Sequence, residues 1–259
     1  MRNLILNRLQ QIETEENIKI LYACESGSRA WGFPSRDSDY DIRFIYVHPI
    51  DWYLSIFPKS DVIEFPLQDS LDFSGWDLKK ALQLFAKSNP PLYEWLGSST
   101  IYLENNQVIQ EMRRLSSIFY SKTASLYHYL HMARRNFRQY LQGEQVWVKK
   151  YLYVLRPLLA ILWLERNLGI APTDFNILVE KLVTDPTLKD AVNKLLSSKK
   201  SGAELDSGPR INVISQFLEQ ELNRLEHKVI PPEKHGLQFD KLDRLFQSAV
   251  LKSPHGSGF

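Results

Sequence analysis

The sequence predicts an α+β fold, in which a domain with a small mixed β-sheet, residues 1–105, is followed by an all-helical domain, residues 106–252. Polar and apolar residues alternate in residues 39–46 and 70–74, which is the period-two pattern of half-buried strands. In the second domain this alternation stops, and apolar residues recur at helical spacing between glycine and proline breaks. Residues 253–259 are expected to form a flexible tail.

The predicted elements of the first domain follow from these patterns in chain order. They are an amphipathic helix (1–16), an apolar strand (18–23), the alternating strand (39–46), two antiparallel strands (61–65 and 70–74) joined by a turn at 66–69, a helix that opens at Gly75-Trp76-Asp77-Leu78, and an edge strand (100–103). The second domain begins with predicted helices over residues 107–140 and 147–167.

Composition places the chain among ordinary globular proteins. It has 259 residues, of which 44% are hydrophobic and 24% are charged, and this is enough apolar material for a sizeable core. A run of about 18 apolar residues, as needed to span a bilayer, is absent. Cys24 is the single cysteine, which excludes an internal disulfide, and the N-terminus lacks the pattern of a signal peptide. We therefore expect a cytoplasmic protein without a membrane partner.

The charge is unevenly distributed along the chain. The net charge of +2 separates into −5 for residues 1–105 and +7 for residues 106–259. Nine lysine and arginine residues and a single acidic residue, Glu144, lie between Arg113 and Arg156. This basic window is expected to attract polyanions.

Two aspartates and a small-residue turn form the candidate site of the first domain. Asp39 and Asp41 alternate with apolar residues, so a strand directs both carboxylates to one face. Two carboxylates this close repel each other unless a cation lies between them, and Mg²⁺ prefers carboxylate oxygens together with substrate phosphates. Gly27-Ser28 ends the preceding strand and lets the backbone approach a phosphate closely.

This combination of motifs resembles the signature of the DNA polymerase β-type nucleotidyltransferase superfamily. The residues concerned are Gly27-Ser28 followed by Ser35-x-x-Ser-Asp39-x-Asp41, and the longer string through Ser88-Asn89-Pro90-Pro91 resembles the predicted RNA-repair-linked branch of that superfamily. The resemblance covers roughly the first 105 residues. It implies that Gly27 and Ser28 bind the β- and γ-phosphates, that Asp39, Asp41 and a third carboxylate bind two metal ions, and that Arg29 contacts phosphate or substrate.

The third carboxylate is predicted to be Asp72. It lies on the polar face of the strand at residues 70–74, which is a possible neighbour of the strand that carries Asp39 and Asp41. Glu64 is the main alternative. Asp77 is expected to be structural, because a carboxylate in the first turn of a helix is favoured by the helix dipole.

A basic stripe in the second domain is the candidate for further nucleotide contacts. Lys149, Tyr153 and Arg156 follow one another at helical spacing, and Lys150 is adjacent to them. Such a stripe supplies positive charge to a triphosphate, and the resemblance agrees because related enzymes cover the nucleotide with a following helical domain. A solvated basic face remains the alternative.

Together these features predict a Mg²⁺-dependent nucleotidyltransferase. The enzyme is expected to move a nucleoside monophosphate from an NTP to a hydroxyl acceptor, an RNA end in the favoured interpretation, and to release pyrophosphate. Asp39, Asp41 and Asp72 are the predicted catalytic and metal-binding residues, with two Mg²⁺ ions, or Mn²⁺ in their place. A small-molecule or protein acceptor and a non-catalytic nucleotide- or RNA-binding module are the alternatives. The choice of NTP, the acceptor, the number of nucleotides added and the oligomeric state stay open.

Overall fold

The computed structural model describes residues 1–104, 106–202, 207–226, 228 and 239–251. The predicted tail, residues 253–259, lies outside them. In chain order the first elements are α1 (Arg2–Glu15), β1 (Lys19–Glu25), α2 (Gly27–Ala30), β2 (Tyr40–Val47), α3 (Ile50–Tyr53), β3 (Val62–Glu64), β4 (Leu71–Asp77), α4 (Leu78–Ala86), α5 (Pro90–Leu96), β5 (Ile101–Glu104) and α6 (Asn106–Phe119). They are followed by α7 (Lys122–Tyr140), β6 (Gln145–Trp147), α8 (Lys150–Glu165), α9 (Phe175–Leu182), α10 (Pro186–Lys200), β7 (Ser207–Pro209), α11 (Asn212–Glu226) and α12 (Phe239–Leu251).

The first elements build a five-stranded sheet with the strand order β3-β4-β2-β1-β5. β2 and β4 are parallel neighbours, whereas the other adjacent strands are antiparallel. The sheet is therefore mixed, and β5 is an edge strand as the sequence indicated. The predicted α+β class is confirmed.

Apolar side chains of the sheet pack into two separate core clusters. Ile42 and Phe44 of β2 pack with residues of α1, whereas Ile45 and Val47 pack with α4, α5, α6 and α12. Successive side chains of a strand point to opposite faces, so helices cover both sides of the sheet. The polar side chains at the N-terminal end of β2, Asp41 and Arg43, belong to neither cluster.

The chain forms two compact units, and each of them contains separate stretches of the sequence. The first unit contains residues 1–27 and 39–120 together with α12, and the second contains residues 28–38 and the described residues from Ser121 onwards, up to α12. The boundary falls between α6 and α7, where the side chain of Ser121 caps α7 by accepting a hydrogen bond from the Ala124 amide. The helix predicted over residues 107–140 is consequently two helices.

Two local predictions were wrong. Gly75 to Asp77 continue β4 and do not open a helix, because this segment pairs in parallel with β2, Tyr46 opposite Asp77. The helix begins at Leu78, and Asp77 caps it by accepting a hydrogen bond from the Lys79 amide. In the second unit, β6 and β7 pair as a short antiparallel ladder, for which the sequence shows no alternation.

The turn between β3 and β4 is tighter than predicted. Gln68 and Leu71 exchange two backbone hydrogen bonds, so Asp69 and Ser70 form a two-residue loop, and both have positive φ angles, 50° and 61°. Loops of this kind favour Asn-Gly, because left-handed backbone strains residues that carry a Cβ.

Replacing Ser70 by glycine is therefore expected to stabilise the protein. We expect Ser70→Gly to raise the free energy of unfolding by about 0.5–1 kcal/mol in chemical denaturation, because the left-handed strain at this position disappears. Ser70→Ala retains the Cβ and serves as the matched control without a gain. Equal stability of the two variants would contradict this explanation.

None of the described helices combines the length and apolar character that are needed to cross a membrane.

Candidate active site

The carboxylates of Asp41 and Asp72 are neighbours on parallel strands. The register of β2 and β4 places Asp41 directly opposite Asp72. Glu64, the alternative third carboxylate, lies on β3 opposite Ser74, one strand further from Asp41. We call Asp41 and Asp72 the carboxylate pair. Asp39 precedes β2 by one residue and thus flanks the pair.

Arg43 lies between the two members of the carboxylate pair. Its Nη2 atom is 3.1 Å from Asp41 Oδ1 and 2.7 Å from Asp72 Oδ2. Arg43 is two residues beyond Asp41, so it belongs to the same face of β2, and its side chain is only 18% exposed. One atom of a cation thus contacts a carboxylate from each strand.

The carboxylates nevertheless outnumber this cation. Burial raises the pKa of Asp41, the Arg43 guanidinium opposes that rise, and the charges of Asp72 and Asp39 increase it further. The ionised form of Asp41 is therefore costly at this half-buried position, and Arg43 offsets only part of that cost. A cation beyond Arg43 would relieve it.

The donor set has the chemistry of a Mg²⁺ site but not its compactness. Among the described residues, no three His, Cys, Asp or Glu side chains converge closely enough to hold a metal, so Asp39 does not complete a triad with the carboxylate pair. Mg²⁺–oxygen distances of about 2.1 Å are shorter than the contacts of Arg43. The pair would therefore have to release Arg43, and each oxygen would have to approach the ion by up to roughly an ångström.

Glu25 and the turn at Gly27 fix the backbone of Asp41. Glu25 is buried, and its Oε1 accepts a hydrogen bond from the Asp41 amide at 2.8 Å, while the Ser26 amide donates to the Asp41 carbonyl, also at 2.8 Å. The second carboxylate oxygen of Glu25 accepts a hydrogen bond from the Tyr102 hydroxyl. Both backbone groups of Asp41 are thus held by the residues that immediately precede the turn.

Gly27 is required at this turn for two reasons. Its φ angle is +55°, and a Cβ built on it would lie 1.9 Å from Asp41 Oδ2. Only glycine allows the backbone to come this close to the carboxylate. The turn therefore presents bare backbone beside Asp41, as a phosphate-binding turn requires.

Ser28 and Arg29 belong to the second unit. Ser28 is buried, and its carbonyl accepts a hydrogen bond from the Phe33 amide at 3.0 Å. Arg29 Nη2 donates to the Ser38 carbonyl at 2.7 Å, which closes the loop between these residues. Arg29, predicted to bind nucleotide, thus has a structural contact within its own segment.

The predicted basic stripe lies beside a row of aromatic rings. Lys150 Nζ is 4.8 Å from the ring centre of Tyr153, Tyr153 contacts Trp31 edge to face at 5.7 Å, and the Arg156 guanidinium lies over Trp31 at 4.5 Å. Arg156 is buried at 2% exposure, so it packs inside the unit. The structure therefore brings three predicted residues together, with Trp31 as the connection.

Lys199 is a further cation of this region that the sequence reasoning missed. Its Nζ lies 5.7 Å from the ring centre of Phe33, and burial, followed by the charge of Lys149, lowers the pKa of Lys199. The same two causes lower the pKa of Lys150. Lys149 is therefore close enough to repel both Lys150 and Lys199, and we call these three residues the lysine cluster. In the described part of the chain no carboxylate forms an ion pair with Lys150 or Lys199.

Three residues of the site were not predicted from the sequence, and they differ in whether the sequence contains a signal for them. They are Arg43, Glu25 and Lys199. Arg43 shares the alternation of Asp39 and Asp41, so the sequence indicates its position on their face, but it does not indicate that Arg43 contacts both carboxylates. Glu25 and Lys199 gave no comparable signal, because their contacts depend on tertiary packing.

Comparison with known proteins places the chain in a family. Residues 1–248 match the RNA repair pathway DNA polymerase beta family (RlaP). The uncharacterized protein YcgL of Bacillus subtilis (strain 168) is 49% identical over 252 residues, which cover 96% of each chain. A solved nucleotidyltransferase-like protein from Exiguobacterium sibiricum aligns over 95% of this chain and 89% of its own, with 14% identity and a TM-score of 0.29. The family match and the relative extend over nearly the whole chain, which therefore belongs to the RNA repair pathway DNA polymerase beta family.

Proposed function

We propose that the protein is a Mg²⁺-dependent nucleotidyltransferase that transfers a nucleoside monophosphate from an NTP to a hydroxyl acceptor at an RNA end. The observation that carries this proposal is the carboxylate pair, in which Asp41 and Asp72 from adjacent parallel strands meet at one cation position. Family membership supports the reaction class.

The proposed reaction is an in-line displacement at the α-phosphorus. The acceptor oxygen forms a bond to the α-phosphorus, the bond from that phosphorus to the α,β-bridging oxygen breaks, and pyrophosphate leaves with the bond electrons. The hydroxyl proton passes to solvent. When bound, Mg²⁺ would lower the pKa of the attacking hydroxyl and neutralise the charge that develops on pyrophosphate.

Residues of the first unit would bind the metal and the reacting end of the substrate. Asp41 and Asp72 would supply oxygen ligands from two strands, and the charge of Asp39 acts on Asp41 from nearby. Glu25 holds the Asp41 backbone, and Gly27 would bind the β- and γ-phosphates through the backbone of the turn. The roles of Asp39 and Ser28 rest on the motif and the family.

The lysine cluster of the second unit would bind phosphate oxygens. Lys150 and Lys199 each lose solvation and face a like charge, so an anion is more favourable there than water. Lysine binds phosphate as a point charge, and the aromatic rings beside these lysines limit their freedom. Tyr153 and Arg156 support this surface from within the unit.

Lys199 provides a specific test of the phosphate role. We expect Lys199→Gln to weaken the binding of inorganic tripolyphosphate about tenfold in isothermal titration, because a charge-assisted contact is lost. Lys194→Gln removes the same charge from an exposed lysine of α10 that pairs with Asp190, and should leave the affinity unchanged. Equal affinities of the two variants would exclude Lys199 from phosphate binding.

An RNA end is the acceptor that the charge distribution favours. The basic window from Arg113 to Arg156 has a single acidic residue, Glu144. A segment with this excess of positive charge favours a polyphosphate backbone over a neutral small molecule. Binding of RNA should then weaken steeply as salt increases, whereas a small uncharged acceptor should show little dependence on salt.

Transfer of label from each of the four α-labelled NTPs tests the proposal. The full chain is incubated with the NTP, Mg²⁺ and a pool of RNAs with defined ends, and label on RNA and released pyrophosphate are measured together. We expect one NTP to be preferred and EDTA to stop the reaction. Label on neither RNA, protein nor a small-molecule acceptor, in Mg²⁺ or in Mn²⁺, would refute nucleotidyl transfer.

Arg43 favours one other candidate, a non-catalytic nucleotide-binding module. A guanidinium that already contacts both carboxylates of the pair makes a metal dispensable for folding. NTP binding that is unaffected by EDTA and is never followed by transfer would support this second candidate.

A further inference from the structure

Arg43 is held at the carboxylate pair by both strands that form it. Its Nη2 contacts Asp41 and Asp72, and its Nη1 donates to the backbone carbonyls of Asp72 at 3.1 Å and Ile42 at 3.2 Å. Four hydrogen bonds to β2 and β4 therefore fix one guanidinium. The side chain is not a loose surface arginine.

A metal ion and Arg43 would require the same oxygens. Nη2 binds one oxygen from each carboxylate, and an ion bridging Asp41 and Asp72 would have to take its place. Two cations cannot occupy one position, and even a displaced guanidinium nearby repels the ion. The charge that stabilises the pair without metal thus opposes metal binding.

We propose that Arg43 is the resident counter-ion of the metal site, which metal binding displaces, and that Arg43 thereby sets the metal concentration at which the site fills. The inference rests on the proposed metal-dependent function. The backbone contacts of Nη1 do not involve the carboxylates, so they can keep the displaced side chain beside the site. Arg43 is a positioning residue in this scheme, because it acts through Asp41 and Asp72.

Removal of the counter-ion should strengthen metal binding. Arg43→Gln retains a hydrogen-bonding side chain but loses the charge, so the carboxylate pair keeps its repulsion until a metal relieves it. Arg43→Lys keeps the charge but loses the planar guanidinium, in which Nη2 contacts both carboxylates while Nη1 contacts the backbone carbonyls. The glutamine variant should therefore bind metal more tightly than the lysine variant.

Mn²⁺ titration of the full chain, without nucleotide, tests the proposal, with free Mn²⁺ measured by electron paramagnetic resonance. We expect Arg43→Gln to bind Mn²⁺ about tenfold more tightly than the wild type, because charge-assisted hydrogen bonds no longer compete. Arg43→Lys should lie between them. Arg114→Gln removes the same charge from an exposed arginine that pairs with Glu111 and should match the wild type.

An affinity of Arg43→Gln that equals or falls below that of the wild type would overturn the proposal. If Arg43→Gln does not fold without metal, Arg43→Lys takes its place in the test. A Mn²⁺ affinity of Arg43→Lys that is no tighter than that of the wild type would then overturn the proposal. Tighter Mn²⁺ binding without transfer from any NTP would uphold the counter-ion and refute the enzyme. Mg²⁺-dependent transfer by the wild type, together with an unchanged Mn²⁺ affinity of Arg43→Gln, would support the enzyme and refute the counter-ion role of Arg43.

Discussion

Asp41→Asn is expected to reduce nucleotidyl transfer at least about a thousandfold, because a metal-bound carboxylate contributes several kcal/mol of transition-state stabilisation. The fold should survive the change. Burial and the neighbouring carboxylates raise the pKa of Asp41, so the native state holds a proton there more readily than the unfolded chain, and the ionised form costs stability at neutral pH. A neutral amide removes that cost, and Arg43 still has Asp72 as its partner.

The measurement is the initial rate of label transfer at saturating NTP, together with the unfolding temperature of each variant. Asp61→Asn is the matched control, because Asp61 is a half-exposed aspartate of the same unit that pairs with Lys80. It should retain full activity. If Asp41→Asn keeps more than about a tenth of the wild-type rate, the carboxylate pair does not perform the chemistry.

The carboxylate pair shows how far local sequence pattern reaches. Alternation alone placed Asp41 on the polar face of one strand and Asp72 on the polar face of another, and the structure then set the two residues side by side. Glu64 had an equally suitable side chain, but it lies on the outer strand. Pattern thus identified the faces, whereas the order of the strands, which is decided by tertiary packing, sets which carboxylate lies beside Asp41.

The same limit explains the error at Gly75 and the place of α12 in the fold. Gly75-Trp76-Asp77-Leu78 has the composition of a helix start, and a strand forms there because β2 provides a partner along its whole length. α12 is an amphipathic helix like its neighbours in sequence, yet Leu242 and Leu245 pack in the core of the first unit. Sequence indicates that an apolar face is buried, but not against which element.

The lysine cluster was predictable only in part. Lys149 and Lys150 are adjacent in the chain, and the basic window drew attention to them. Lys199 comes from a different helix, and only the fold brings its charge close to Lys149. Contacts between residues this distant in sequence have no local periodic signal, so a single sequence does not reveal them.

Gly75→Ala is expected to lower the free energy of unfolding by about 3 kcal/mol, since overpacking a buried site costs about 1–3 kcal/mol and sometimes more. An added Cβ would lie 2.1 Å from Cε2 of Phe44 and 2.4 Å from its Cζ. Phe44 is fully buried and lies opposite Gly75 in the register of β2 and β4, so its ring cannot move into solvent. Chemical denaturation of the variant measures the loss.

A double substitution separates this steric cause from a general intolerance of change at Gly75. Phe44→Leu removes the ring atoms that the new Cβ would strike. In the Gly75→Ala background this substitution should therefore raise the free energy of unfolding by more than about 1 kcal/mol, because the effects of substitutions at contacting residues are not additive. Gly169→Ala is the control, because Gly169 has a φ of +88° and open space around it, so its cost is backbone strain that Phe44→Leu cannot relieve. Additive effects of Gly75→Ala and Phe44→Leu would show that the ring is not the obstacle.

The pairing of Phe44 with Gly75 also holds Asp41 opposite Asp72, three residues earlier on each strand. The Gly75→Ala variant should therefore bind Mn²⁺ less tightly than the wild type, and the double variant should regain that affinity.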